Sequence, residues 1–363
     1  MRHIYLAATG QNRGKTTLSL GVLDGFLRRG LSAGFMKPVG QRTVLEDGVP
    51  ADEDALLMRH VFGLPEPFTQ MSPVHIPRGF TQTYIDGGFV EDLPARIRTA
   101  HAAFNRDREI LLIEGTGHAG VGAVIGLSNA AVAAMLGAPA VIVSEGGVGR
   151  PIDEIVLNAS LFERHGVRVA GAIVNKVDLD AKPHIATTLE RGLARHGIPL
   201  LGILPYRPIL SNPTLAMVLE GVHGETLNAG PDLDQVIGGV AIGAMEPRHM
   251  LQRVGPRTLV IVPGDRTDVI RAIVNAGGEE NGVVGLVLTG GYRPETTVVD
   301  SIRAANLFAT LVPEDTYVVA SEVHDLLVKT HPADLGKIAE IKALVWEYLF
   351  IDKILGVAGG APA

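Results

Sequence analysis

Through the first two thirds of the chain, short apolar runs alternate with longer stretches of helical period. His3–Ala8, Ser32–Met36, Ile110–Ile113, Ala140–Val143, Val169–Val174 and Leu200–Leu204 are mostly apolar, as strands covered on both faces must be. Between them, Lys15–Arg29, Ala51–Phe62, Leu93–Arg106, Ser128–Leu136, Ile152–His165 and Pro183–His196 carry apolar residues at helical spacing. This alternation predicts an α/β fold: a mainly parallel sheet sandwiched by helices, with right-handed crossovers and the site at the carboxyl ends of the strands.

Near Leu210 the pattern changes. From Ser211 to Gly239 the alternation blurs around Pro213, Pro231 and scattered glycines, which marks a linker. The expected division is a first domain over 1–215, a linker and start of the second over 216–240, a smaller α/β domain over 241–350 and a flexible tail over 351–363, of which Gly356–Ala363 is Gly, Ala and Pro apart from Val357 and is expected to fray. The second domain reads as strands Thr258–Val262, Val283–Leu288, Ala309–Leu311 and Tyr317–Val319, with helices Thr267–Asn275, Glu295–Ala305, Ser321–Val328 and Asp334–Tyr348.

Charge and composition narrow the function classes. The sum of 32 Lys and Arg against 39 Asp and Glu is -7 over 363 residues, so no global basic field exists for nucleic acid or an anionic membrane, and neither is an expected partner. The absence of cysteine removes disulfides, thiolate metal sites and a thiol nucleophile, and fits a cytoplasmic location. The longest apolar tract, Ala130–Val143, is broken by Gly137 and Pro139 and is shorter than the roughly 20 residues a bilayer requires. Met1–Ala8 leads into a glycine turn and does not read as a leader.

The sharpest chemical signal lies between the first strand and the first helix, in Thr9-Gly10-Gln11-Asn12-Arg13-Gly14-Lys15-Thr16-Thr17. A glycine-rich turn there points backbone N–H groups at a phosphate, the helix adds its positive end, Lys15 neutralises β/γ oxygens, and the Thr16 hydroxyl suits magnesium. Gly10 and Gly14 enclose three residues where the strict pattern has four. Glu114 ends the third apolar run, where a carboxylate can bind magnesium directly or through water. Lys37, at the end of the second run, would project a second cation over the phosphates, and from spacing alone it reads equally well as a solvated lysine. Asn175-Lys176-Val177-Asp178 comes after the fifth run and resembles the base-reading NKxD signature of GTP-binding proteins, although Asp178 reads equally well as a loop acid. Arg150 reads as a partner either for an anion or for the nearby Asp153 or Glu154. In the second domain, two glycine turns, Pro263-Gly264-Asp265-Arg266 and Thr289-Gly290-Gly291-Tyr292-Arg293, read either as a cleft for a small anionic ligand with Arg266 and Arg293 as cations, or as ordinary capped turns.

These residues resemble a known arrangement. About the first 210 residues are similar to the dethiobiotin synthetase-like branch of P-loop ATPases, through Thr9–Thr17, Lys37-Pro38-Val39, Asp54-Ala55-Leu56, Glu114-Gly115 and Asn175. From about 240 to 350 the chain resembles the DRTGG domain, through Gly264-Asp265-Arg266 and Leu288–Gly291. The pair looks like the N-terminal regulatory part of long bacterial phosphate acetyltransferases, without the acetyl-transfer domain. The resemblance implies a P-loop NTPase fold followed by a smaller α/β DRTGG domain. It implies ATP and Mg²⁺ as cofactors, held by Gly10, Gln11, Asn12, Arg13, Gly14, Lys15, Thr16 and Thr17. Thr16, Asp54 and Glu114 would serve the metal, Lys15 and Lys37 phosphoryl transfer, and Asn175 the base. The implied function is an ATP-binding, ATP-hydrolysing metabolic regulator or sensor that forms dimers. An ATP-dependent carboxylate-activating ligase is the alternative, and an inert interaction module is disfavoured by Lys15 and Thr16 together.

Overall fold

The computed structural model describes all residues except 89–90, 105–107, 180–183, 231, 277–281, 327–328 and 361–363. The chain divides into two compact units, Met1–Tyr206 together with the chain from Thr330 on, and Arg207–Lys329.

In the first unit all six expected strands form, as β1 (Arg2–Ala8), β2 (Ala33–Met36), β3 (Ile110–Glu114), β4 (Ala140–Glu145), β5 (Val169–Val177) and β6 (Leu200–Pro205). They lie in the order β6-β5-β4-β1-β3-β2, and every neighbouring pair among them is parallel. Their residues are apolar on both faces and almost all buried, because helices cover both sides. After β1 the chain crosses to the edge strand β2 and comes back with β3 between the two, then passes to the other side of β1 with β4. The crevice beyond β1 is therefore the switch point where α/β sheets place ligands. Leu6 of β1 pairs with Glu114, and Ala8 with Val143, so the ends of β3 and β4 flank the turn at the end of β1. Helices α1 (Lys15–Arg28), α2 (Glu53–Phe62) and α3 (Gly149–Arg164) carry the other side chains of the site. The expected start of α2 at Ala51 shifts to Glu53. Val49–Asp52 pairs as a strand with Thr43–Glu46, and the Asp52 side chain caps the helix by accepting from Asp54 N at 3.0 Å. The expected ends of two helices, at Arg106 and Pro183, fall outside the described residues.

His3 on β1 and His101 on the helix Leu93–Phe104 are both buried, with ring centroids 5.3 Å apart. Burial pushes His101 down to about 4 and lowers His3 as well. The fold thus favours neutral rings. The stability this contributes is complete above the unfolded value near 6.5, falls as the unfolded chain takes up protons below it, and is gone near pH 4. We expect about 2 kcal/mol to be lost through His101 over that window, allowing for its partial solvation. Thermal melts of His101→Leu between pH 7 and 4.5 should show a flatter decline than the wild type; parallel slopes would refute the assignment.

The second unit is a five-stranded sheet of β7 (Glu225–Asn228), β8 (Gly239–Ile242), β9 (Thr258–Pro263), β10 (Val283–Thr289) and β11 (Phe308–Leu311), ordered β7-β11-β10-β9-β8. Only β7 runs antiparallel to its neighbour. Its first strand, and the start of its second, lie in the stretch read as a linker and the start of the second domain. The strand expected at Tyr317–Val319 is instead part of a helix, Thr316–Asp325, because Asp315 caps it by accepting from Val318 N at 3.0 Å. Its expected continuation to Val328 reaches beyond the described residues.

The helix expected at the end of the second domain, α4 (Leu335–Tyr348), belongs to the first unit, where it packs along α1. The tail expected to fray is also ordered in part. Ile351–Val357 is a helix with Ile351 and Ile354 buried, and Gly359–Gly360 pairs antiparallel to Arg2 and His3 on β1. Its apolar side chains supply the burial that composition alone did not reveal. Among the described residues no helix is long and apolar enough to cross a membrane.

Candidate functional site

The turn from β1 into α1 has left-handed backbone at Asn12 (φ 57°) and Gly14 (φ 86°). Such geometry turns successive N–H groups toward one point, as in an anion-binding nest. Gly14 stands at the N-cap of α1 with no side-chain cap, so the first N–H groups of the helix have no side-chain acceptor there. Lys15 is buried and donates to Gly10 O at 3.5 Å. Burial, with Lys37 nearby, lowers its ammonium to about 8.

Below the turn, four functional groups converge from four elements. The Thr16 hydroxyl, in the first turn of α1, lies 3.0 Å from Asp54 Oδ1 and 3.1 Å from Glu114 Oε1. Lys37, just past β2, donates to Asp54 Oδ2 at 2.5 Å and to Glu114 Oε1 at 2.8 Å. Lys37 and Glu114 are 5% and 0% exposed, so this is a desolvated ion cluster in which each charge depends on the others. Burial opposes the charge on Lys37, but Asp54 and Glu114 outweigh it and hold the ammonium well above its ordinary value. Burial likewise opposes ionisation of Asp54; Lys37 and its hydrogen bonds overcome this and bring the carboxyl below its usual range. For Glu114 burial prevails over the pull of Lys37 and raises the carboxyl. Asp52, capping α2 beside the cluster, is raised by burial to about 6.

The donor set suits a hard divalent cation. It offers a hydroxyl and two carboxylates, all oxygen, and the buried Glu114 Oε2 has no hydrogen-bond partner, which a cation or its water would supply. Among the described residues no group of three or more His, Cys, Asp or Glu is arranged as a metal site. The third oxygen donor here is a hydroxyl, that of Thr16.

A second network holds the outer side of the turn. Arg13 pairs with Glu145 at the end of β4 and approaches Glu154 of α3 at 3.5 Å. Glu154 Oε2 also accepts from Thr9 at 2.8 Å and Ser144 at 3.2 Å, while its Oε1 accepts from Arg150 at 2.8 Å. The expected partnership of Arg150 is thus formed with Glu154. Asn175 Nδ2 donates to Arg13 O at 3.1 Å, and Lys176 Nζ to Asn12 O at 2.9 Å. Sequence reasoning missed the Arg13–Glu145–Glu154 network, since Arg13 lies more than a hundred residues from its two acids and no local spacing announces the meeting.

In the second unit the two glycine turns do meet. A Cβ on Gly264 would fall 1.8 Å from Tyr292 O, so only glycine allows that approach. Both candidate cations are already paired, Arg266 with Asp268 at 3.0 Å and Arg293 with Glu225 at 2.9 Å.

The chain is similar to phosphate acetyltransferase of Pseudomonas putida, at 28% identity over 84% of this chain and 44% of that protein. Cobyric acid synthase of Moorella thermoacetica is also 28% identical, over 73% of this chain and 58% of that one. The chain spans about half the length of the curated relatives it matches. Among solved structures, the MinC:MinD cell division protein complex of Aquifex aeolicus is similar at 14% identity and a TM-score of 0.37, covering 58% of this chain and 84% of that one. The DRTGG domain model matches residues 217–326. With the AAA domain model AAA_26 matching residues 2–214, the chain belongs to the AAA_26 family and carries a DRTGG domain behind that P-loop domain.

Proposed function

We propose that this chain binds a nucleoside triphosphate with magnesium in the turn after β1, hydrolyses it slowly, and serves as a metabolic regulator whose DRTGG domain takes a small anionic ligand. The observation that carries the reading is the meeting of Thr16, Lys37, Asp54 and Glu114 directly beneath a nest-shaped turn. Amides of Gly10–Thr17 and the Lys15 ammonium receive the phosphates. Thr16, Asp54 and Glu114 would hold Mg²⁺, which supplies positive charge to phosphate oxygens when bound. Lys37, held protonated by its two acids, adds a cation that needs no reorganisation. A ligand anion in the second unit would exchange for Glu225 or Asp268 at Arg293 or Arg266. The expectation of ATP in particular rests on the family resemblance.

A second reading, a carboxylate-activating ligase, is favoured by a small open-mouthed pocket of about 60 Å³ lined by residues just beyond Lys37 and Glu114, among them Val39, Gln41, Ile76, Thr116 and Leu127.

Calorimetric titration with magnesium nucleotide tests the first reading. Lys15→Ala should weaken binding by about 100-fold, the worth of one or two charge-assisted hydrogen bonds. Equal affinity in the variant would sink it. Phosphate release that one acid strongly stimulates would favour the ligase over the regulator.

A further inference from the structure

Resting on that nucleotide reading, we infer that the Arg13 side chain is a releasable cation: it leaves Glu145 and Glu154 for the terminal phosphate when a triphosphate binds, and so makes the site prefer triphosphate to diphosphate. The residue lies inside the turn, one position before Gly14, and its guanidinium folds back over the start of that turn. A Cβ on Gly10 would lie 3.2 Å from Arg13 Nε and 3.7 Å from Nη2, so the bare α-carbon of Gly10 leaves the guanidinium its place. Lys15, the cation suited to β/γ oxygens, reaches the same residue, with Nζ 3.5 Å from Gly10 O. The two cationic heads therefore flank one residue of the turn, and Arg13 stands next to where the outer phosphates bind.

The present hold on Arg13 is partial. Nη1 pairs with Glu145, and Nη2 only approaches Glu154, at 3.5 Å. Among the described residues the buried Nε has no hydrogen-bond partner. Neither acid depends on Arg13 for its charge. Glu145 Oε2 has Lys176 Nζ at 3.0 Å, while Glu154 has Arg150 Nε at 2.8 Å and the hydroxyls of Thr9 and Ser144 at 2.8 and 3.2 Å. The turn does not depend on the guanidinium either. Thr9 N donates to Val143 O at 2.8 Å, Asn175 Nδ2 to Arg13 O at 3.1 Å and Lys176 Nζ to Asn12 O at 2.9 Å, so other groups tie its backbone to the ends of β4 and β5. Breaking the Arg13 pairs thus leaves no charge without a partner, the usual penalty for such a break, and the turn stays anchored. A terminal phosphate offers more in exchange, because its oxygens accept parallel N–H groups of a guanidinium in bidentate fashion. A diphosphate ends one group short and offers nothing there.

The acids hold the cation back, so the two sides of the pair should shift affinity in opposite directions. The test is calorimetric titration of the full chain, with magnesium, against ATP, ADP, GTP and GDP. Arg13→Ala should weaken triphosphate binding by about 10- to 100-fold, the range for hydrogen bonds between charged groups, and diphosphate binding several-fold less; the diphosphate binding that remains shows the variant is folded. Glu145→Gln, which frees the guanidinium, should tighten triphosphate binding by about 3- to 10-fold, by raising the share of molecules in which the cation is available. In the Arg13→Ala/Glu145→Gln double variant that gain should vanish. Were the pair only a brace for the turn, each single variant would weaken both kinds of nucleotide; were Glu145 only repelling phosphate, its gain would persist without Arg13. Either result, or a triphosphate-to-diphosphate ratio unmoved by Arg13→Ala, overturns the transfer of Arg13 and leaves the nucleotide reading standing. Binding of none of the four by wild type overturns both.

Discussion

Lys37→Met is expected to lower stability by about 3–5 kcal/mol, the cost of leaving buried charge without its partner. Methionine fills most of the space but offers no donor to Asp54 Oδ2 or Glu114 Oε1, which the lysine bridges at 2.5 and 2.8 Å. Two carboxyls, one of them in a residue 0% exposed, would then face each other without a cation. The loss should shrink at low pH, where protonation removes the repulsion. Three readouts separate this account from simple loss of packing. Urea midpoints should recover in part in the Lys37→Met/Glu114→Gln double variant, should recover in part on acidification to pH 5, and should rise with millimolar magnesium more in Lys37→Met than in wild type, since a cation can replace the ammonium between the same oxygens. A loss under about 1 kcal/mol, or one indifferent to pH and to Glu114→Gln, would mean the cluster is not held by its charges.

The cluster also shows what a single sequence makes legible. Each of the six central strands is marked by its apolar run, since a strand buried on both faces has no polar position to blur it. Strand ends are legible for the same reason: the first polar residue after each run, Lys37, Glu114 and Asn175 among them, marks the carboxyl edge where a parallel sheet presents its side chains. The spacing between Gly10 and Lys15 places the turn. That Lys37 would sit between Asp54 and Glu114 is not legible, because the meeting depends on the strand order and no spacing encodes which strands are neighbours. The metal-binding role expected of Asp54 comes from resemblance alone, and its own sequence context suggests only an acid at a helix start. The elements misread share a different cause. Tyr317–Val319 has strand-like residues, and the Asp315 cap, a single side chain, overrides that weak preference. β7 and β8 are only four residues each and half exposed, too short and mixed to stand out beside Pro213 and Pro231. α4 is legible as a helix, but nothing in its pattern says which unit it covers.

Gly21→Leu is expected to cost about 3 kcal/mol and to loosen α4 from the first unit. In an exposed helix, replacing glycine with leucine would be favourable by a few tenths of a kcal/mol or more. Here the sign reverses, because a Cβ at Gly21 would lie 2.3 Å from Val345 Cγ2, and at Gly25 one would lie 2.9 Å from Ile351 Cδ1. The two glycines, one turn apart on α1, form the groove into which the returning chain packs, and overfilling such a contact forces shifts worth about 1–3 kcal/mol or somewhat more. Polar contacts at the edge of the groove would be strained with it: Lys342 donates toward Asp24 at 3.3 Å, Arg29 toward Asp352 at 2.6 Å, and the guanidinium carbons of Arg28 and Arg29 sit 5.2 and 5.3 Å from the Trp346 ring centroid. Trp346 is the single tryptophan of the chain, so its emission reports directly on whether α4 stays docked. In Gly21→Leu the emission should shift toward that of solvated indole well before global unfolding in urea, and Val345→Ala in the same chain should restore part of both the emission and the midpoint, with a coupling of about 1 kcal/mol or more. Because α1 also carries Lys15 and Thr16 in its first turn, nucleotide affinity should fall along with the docking and return with Val345→Ala. An unchanged midpoint and emission in Gly21→Leu would show that the groove yields freely and that α4 does not depend on it.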